Sequence, residues 1–108
     1  SKRRPLGETA ARLADMTYFT EEDSRHEPVE VILEELTAGA RDAGGVEGVS
    51  YVAIPDRREA IRAAVREARE GDVIVLCGKG HERTLERMNE TLDWDEAAEA
   101  AAALARDD

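Results

Sequence analysis

Apolar positions along this chain fall into blocks that alternate between a helical and a strand-like period. Leu6, Ala10 and Leu13 stand at i, i+4 and i+7, one face of a short helix over 6–15. Met16 to Thr20 is β-branched and aromatic and predicts a strand, which stops at the polar run Glu21 to His26. Pro28 suits the first turn of a second helix carrying Val29, Ile32, Leu33, Leu36 and Ala40 on one stripe, and Gly44-Gly45 ends it. Val49 to Ile54 predicts a second strand. Asp56 and Glu59 then form a capping pair for a third helix, with Ala60, Ile61, Ala64, Val65 and Ala68 inward and Gly71 closing it. Val73 to Cys77 is continuously apolar, as in a strand covered on both faces of a parallel sheet. Arg83 to Leu92 reads as a short helix. Asp95 caps a last helix, whose Ala98, Ala101, Leu104 and Ala105 are expected to face the sheet, and Trp94 ahead of it reads as a packing anchor.

The predicted order is therefore α-β-α-β-α-β-α. It describes an open, mostly parallel, Rossmann-like α/β sheet of at least three strands with helices on both faces. In such sheets ligands bind beyond the carboxyl ends of the strands. Here all three strand ends carry charged loops: Thr20 to His26, Pro55 to Arg58, and Gly78 to Glu82.

Composition narrows the partners. The 108 residues suit a single domain with one core, read here as 1–108. Acidic side chains outnumber basic ones 25 to 15, a net charge of −10, which argues against a nucleic-acid or anionic-membrane surface. No apolar run reaches the ~20 residues that span a bilayer, and no secretory signal pattern opens the chain. The single Cys77 excludes an internal disulfide, fits a reducing cytoplasm, and reads as a small buried hydrophobe.

The loop chemistry excludes more than it assigns. Gly78-Lys79-Gly80 is no phosphate-binding P-loop, which needs four residues between its glycines and Ser or Thr after the lysine. His26 and His81 lack zinc-site spacing, and no nucleophile–base arrangement is recognisable, so no catalytic residue and no metal ligand is expected. Arg25 and Arg57 each follow a strand. Either can grip a carboxylate or phosphate through two parallel bonds, or sit in an ordinary ion pair.

Four stretches together resemble a known family. Lys2-Arg3-Arg4-Pro5 resembles a basic stretch before a domain's first helix. Thr20 to Arg25 with Glu27-Pro28 resembles a Thr-x-Asp-Asn-Pro-Arg…Glu-x-Pro region. Asp56-Arg57-Arg58-Glu59-Ala60-Ile61 resembles an Asp-Arg-x-x-Ala-Ile helix start. Gly78-Lys79-Gly80-His81-Glu82 matches a Gly-Lys-Gly-His-Glu loop at every position. The chain is similar to the C-terminal domain of Mur ligases, and among them to the UDP-N-acetylmuramoyl-dipeptide ligases that form the tripeptide of peptidoglycan precursors.

The resemblance implies a Rossmann-like fold and a share in an ATP- and Mg²⁺-dependent ligation. A carboxylate of the UDP-linked dipeptide becomes an acyl phosphate, and the amine of a diamino acid (diaminopimelate, lysine or another) attacks it. Arg25 is implied as the grip on the amino acid's carboxylate. Glu22, Asp23, Gly78 and Glu82 are implied around its side chain, and Asp56, Arg57, Lys79 and His81 as interdomain or loop-shaping groups. Asp23 replaces the asparagine of diaminopimelate-adding members, and its added charge is expected to attract an amine. A nucleotide-binding central domain, a UDP-sugar-binding domain and the family's first strand are expected outside this chain, which would be inactive alone and is left with a gap, a substitute strand or dimerisation. Two other readings stay open: a paralogue acting on another acceptor, and a stand-alone receiver-like domain in which Asp23 and Asp56 form the acidic pair.

Overall fold

The computed structural model of the chain describes residues 2–79, 82–88 and 90–106. Helix α1 (Arg3–Leu13) starts inside the basic stretch, with Pro5 in the first turn, where its missing N–H leaves no bond unmade. Its buried residue is Gly7; Leu6 and Leu13 are exposed, so the expected apolar face is corrected. The reason is a close helix crossing. Helix α2 (Val29–Asp42) lies so near that a Cβ on Gly7 would sit 2.9 Å from the Leu36 carbonyl carbon. One on Gly39 would sit 2.9 Å from that of Arg4. Bulky side chains are excluded from the seam, and ion pairs flank it: Arg3 with Glu27 (2.5 Å) and Glu35 (2.8 Å), and Arg4 with Asp42 (2.5 Å).

Strand β1 (Thr17–Phe19) pairs in parallel with β2 (Tyr51–Ala53), Thr17 opposite Tyr51 and Phe19 opposite Ala53. Phe19 and Tyr51 tilt against each other with ring centroids 6.1 Å apart and join Leu33 and Ala40 of α2 in the first core cluster. Helix α3 (Arg57–Glu67) begins where predicted, its cap Asp56 accepting from the Glu59 N–H at 3.1 Å.

The next part departs from expectation. Residues 73–77 do not form the third parallel strand: Val73 is 86% and Val75 73% exposed, and no strand runs beside them among the described residues. An apolar run encodes burial, whereas a strand also needs a neighbour to complete its hydrogen bonds. The segment Arg83 to Leu92 is not a helix either. It forms an antiparallel hairpin of β3 (Thr84–Glu86) and β4 (Thr91–Asp93). Among the described residues the observed order is thus α-β-α-β-α-β-β-α, a mixed α/β fold with two two-stranded sheets.

Helix α4 (Glu96–Ala105) is capped by Asp95, which accepts from the Ala98 N–H at 3.0 Å. It buries Glu96 and Ala103 rather than Ala98, Ala101, Leu104 and Ala105. A nearly all-alanine sequence has little apolar contrast between faces, so the polar partners of Glu96 set the rotation. Trp94 is buried, as expected of an anchor, in a second cluster with Ile61, Leu85 and Ala103. No helix among the described residues is long and apolar enough to cross a membrane.

Candidate functional site

The loops that follow β1, β2 and residues 73–77 meet at Arg57, the first residue of α3. Its guanidinium is almost wholly buried. It grips Glu96 with two bonds, Nε to Oε1 at 3.0 Å and Nη2 to Oε2 at 2.5 Å. Nη1 donates to the Glu21 carbonyl at 2.9 Å, and Nη2 also donates to the Cys77 carbonyl at 2.9 Å. One planar fork therefore joins the end of β1, the loop after residue 77 and the start of α4, a geometry that lysine cannot supply. Burial would raise the Glu96 pKa, but the bonds from Arg57 and from Trp94 Nε1 (2.9 Å) outweigh it and hold the carboxyl below its usual range.

Glu21, also buried, forms the second joint. It accepts the Arg57 backbone N–H at 3.0 Å, where the N-terminus of α3 favours an anion. It also takes both edge donors of Arg87, at 2.9 and 2.8 Å, fastening the β3–β4 hairpin to the β1 loop.

The third joint is Lys79 with Asp23. Lys79 is 1% exposed, and its Nζ donates to both Asp23 oxygens, at 3.1 and 3.2 Å. Asp23 also accepts the Glu86 backbone N–H at 3.0 Å. Burial would raise the Asp23 pKa, yet these bonds from Glu86 and Lys79 prevail and lower it. The charge that was expected to attract a ligand's amine thus has an internal partner in Lys79.

Arg25 stands at the rim, with its side chain 64% exposed. Its φ of 55° lies in the left-handed region, and its N–H bonds the Glu86 carbonyl at 3.3 Å. Nε donates to Glu86 Oε2 at 3.1 Å, and the terminal nitrogens have no partner among the described residues. Glu22 lies against Gly78, whose φ is 98°; a Cβ there would fall 2.8 Å from the Glu22 carboxyl carbon. Gly78 thus leaves room for that carboxylate. Glu82 is exposed and makes no ion pair or hydrogen bond among the described residues, while Gly80 and His81 lie outside them. Cys77 is exposed, contrary to its reading as a buried hydrophobe, though its carbonyl is held by Arg57. Asp56 caps α3 and faces Arg87 at 3.6 Å.

The structure therefore brings Glu22 against Gly78 and ties Asp23 to Lys79. It gathers Arg25 and Asp23 on Glu86, and buries Arg57 between Glu21, the Cys77 carbonyl and Glu96. Sequence reasoning missed Glu21, Glu86, Arg87 and Glu96. Three of these depend on recognising the hairpin or the rotation of α4. The polar–apolar–polar triplets Thr84-Leu85-Glu86 and Thr91-Leu92-Asp93 were the available strand signal. The rim offers an outward guanidinium fork and nearby carboxylates, which suits a zwitterion. The acids beneath are committed to cations and backbone N–H groups, a donor set that does not fit Mg²⁺, and no metal-holding cluster occurs among the described residues.

Residues 1–80 match the model of the family described as Mur ligase, glutamate ligase domain. A UDP-N-acetylmuramyl-tripeptide synthetase of Deinococcus radiodurans is 56% identical over 104 residues, covering 96% of this chain and 21% of that protein. A UDP-N-acetylmuramoyl-L-alanyl-D-glutamate--2,6-diaminopimelate ligase of Geobacillus thermodenitrificans is 40% identical over 104 residues, covering 96% and 20%. A solved structure of a ligase of that second name superposes with a TM-score of 0.76 at 30% identity, over 95% of this chain and 20% of that one. The chain spans about a fifth of the length of these relatives. With the family model matched over most of its length, and identities this high across nearly all of it, the chain belongs to the Mur ligase family.

Proposed function

We propose that this chain is the C-terminal, amino-acid-binding domain of a cytoplasmic, tripeptide-forming Mur ligase of peptidoglycan precursor synthesis. In this reading the full-length enzyme uses ATP and Mg²⁺ to activate the carboxylate of a UDP-linked muramoyl dipeptide as an acyl phosphate. The amine of a diamino acid then attacks the acyl carbon, and phosphate leaves. The nucleotide and metal belong to the rest of the enzyme, because the acids Glu21, Asp23 and Glu96 are already bound to cations. What this chain supplies is the grip on the amino acid. Arg25 holds its carboxylate, and Gly78 with Glu22 and Glu82 receives the distal end of its side chain. The gap beside residues 73–77 is filled, in this proposal, by a strand from elsewhere in the ligase rather than by a second copy.

The observation that carries the reading is Arg25 itself. It is an exposed guanidinium, held at one edge and without a partner at the other among the described residues, in the loop that also carries the Glu22–Gly78 contact. The test is a ligation assay of the full-length enzyme with lysine, ornithine and meso-diaminopimelate, repeated with Arg25→Ala and Glu82→Ala. A charge-assisted hydrogen bond contributes about 1.5–3 kcal/mol, so loss of Arg25 should lower kcat/KM for the amino acid roughly 10- to 150-fold. Unchanged kinetics in both variants would remove the assignment.

A further inference from the structure

A guanidinium offers two bidentate edges, Nε with Nη2 and Nη1 with Nη2. In Arg25 the first edge is engaged at Nε by Glu86, and the second faces no partner among the described residues. Glu86 is in turn fixed by its own main chain. Its N–H is bound to Asp23, its carbonyl accepts from the Arg25 N–H, and Asp23 is locked by the buried Lys79. The carboxylate of Glu86 is therefore placed relative to Arg25 by a chain of bonds that ends in the protein interior. An unrestrained exposed arginine would lose considerable rotamer freedom on binding a ligand. Here part of that ordering is already done.

We infer that Glu86 is a positioning residue, which holds Nε of Arg25 so that the Nη1–Nη2 fork is presented outward to the carboxylate of the incoming amino acid. The inference rests on the reading of Arg25 as the carboxylate grip. Glu86 does not itself touch the ligand. Its acceptor atom sets the guanidinium's direction, while its negative charge works mildly against a second carboxylate.

The two roles separate in the full-length ligase, assayed with meso-diaminopimelate and L-lysine as probes. Glu86→Leu removes the acceptor and should raise the amino-acid KM roughly 2- to 5-fold, the range an exposed ion pair supports, with kcat little changed. Glu86→Gln keeps an acceptor and should bring KM back to within about twofold of the parent enzyme, the usual tolerance for a surface change. Because Glu86 acts through Arg25, adding Glu86→Leu to Arg25→Ala should produce no further rise. A lowered KM in Glu86→Leu would mean that Glu86 competes for the grip and would overturn the inference. So would an additive double variant, or a Gln variant as impaired as Leu. If Arg25→Ala leaves KM unchanged, the carboxylate grip falls, and this role with it. If Arg25→Ala raises KM while Glu86→Leu does not, only the positioning role falls.

Discussion

Replacing Arg57 with methionine tests whether one buried side chain holds the site's loops together. The substitution keeps most of the volume and removes every polar atom of the fork. Glu96, with its side chain 10% exposed, would retain the Trp94 N–H but lose both guanidinium bonds. Removing one partner of a buried ion pair costs about 3–5 kcal/mol, because the other charge is left unmatched. The Glu21 and Cys77 carbonyls also lose their donor, but both lie in loops that can turn to water, so about 4 kcal/mol is expected. Against the ~5–15 kcal/mol of a typical domain that is a large loss, measurable as a lower urea midpoint. The pH dependence carries a second signature. The native Glu96 carboxyl is held below its usual value, so its contribution is complete above the unfolded pKa, about 4.3, and is lost as pH falls through the native one. In Arg57→Met burial is opposed only by the Trp94 bond and the charge of Lys79, and the native pKa should rise. Glu96 then costs stability as pH climbs through that raised value, reversing its contribution between pH 4 and 7. A loss below about 1 kcal/mol, the size of an ordinary surface pair, would refute the hub. Parallel stability–pH curves for parent and variant would refute it equally.

Two further substitutions probe the remaining framework. Gly39→Ala should gain up to about 1 kcal/mol of helix propensity, yet lower the melting temperature in calorimetry, since the new Cβ meets the Arg4 backbone and overpacking costs about 1–3 kcal/mol. Lys79→Met should cost about 3 kcal/mol in urea unfolding at pH 7, at the lower end for a buried pair because Asp23 keeps the Glu86 N–H and some solvent. In the parent protein the lowered Asp23 pKa gives stability that is full above about pH 4 and fades with acid; in Lys79→Met that acid-dependent part should shrink.

The sequence revealed those parts of the fold that rest on local periodicity and capping. Helices α2 and α3 and strands β1 and β2 lie where stripe, cap and β-branched run placed them, because each has a periodic apolar set of its own that the core clusters bury. Prediction failed where the deciding partner is distant. Val73 to Cys77 has the composition of an interior strand, yet Val73, Ile74, Val75 and Cys77 are exposed and no strand pairs with it among the described residues. Gly7, whose conformation is ordinary for a helix, is dictated by the backbone of α2 instead of by α1. The loops of the site were legible as charged strand ends. Which of their charges are internal was not. In sequence Asp23 reads as a ligand group and Lys79 as a loop-shaping one, and only the fold shows that they neutralise each other.

That division of charges explains how the loop after residues 73–77 is held although no ladder forms there among the described residues. In a continuous parallel sheet, backbone hydrogen bonds would set the spacing of neighbouring strand ends. Here residues 73–77 have no such bonds, so the loop after them is held by side chains: Arg57 on the Cys77 carbonyl and Asp23 on Lys79. Both contacts are made from the other side, by Arg57 at the start of α3 and Asp23 in the loop after β1. Side-chain ties of this kind fix the loop at its base and leave Arg25, Glu22 and Glu82 exposed. Adding a strand beside residues 73–77 should therefore bury Val73 and Val75 and raise stability, while changing little in the pairing of Asp23 with Lys79, since that joint does not depend on the ladder.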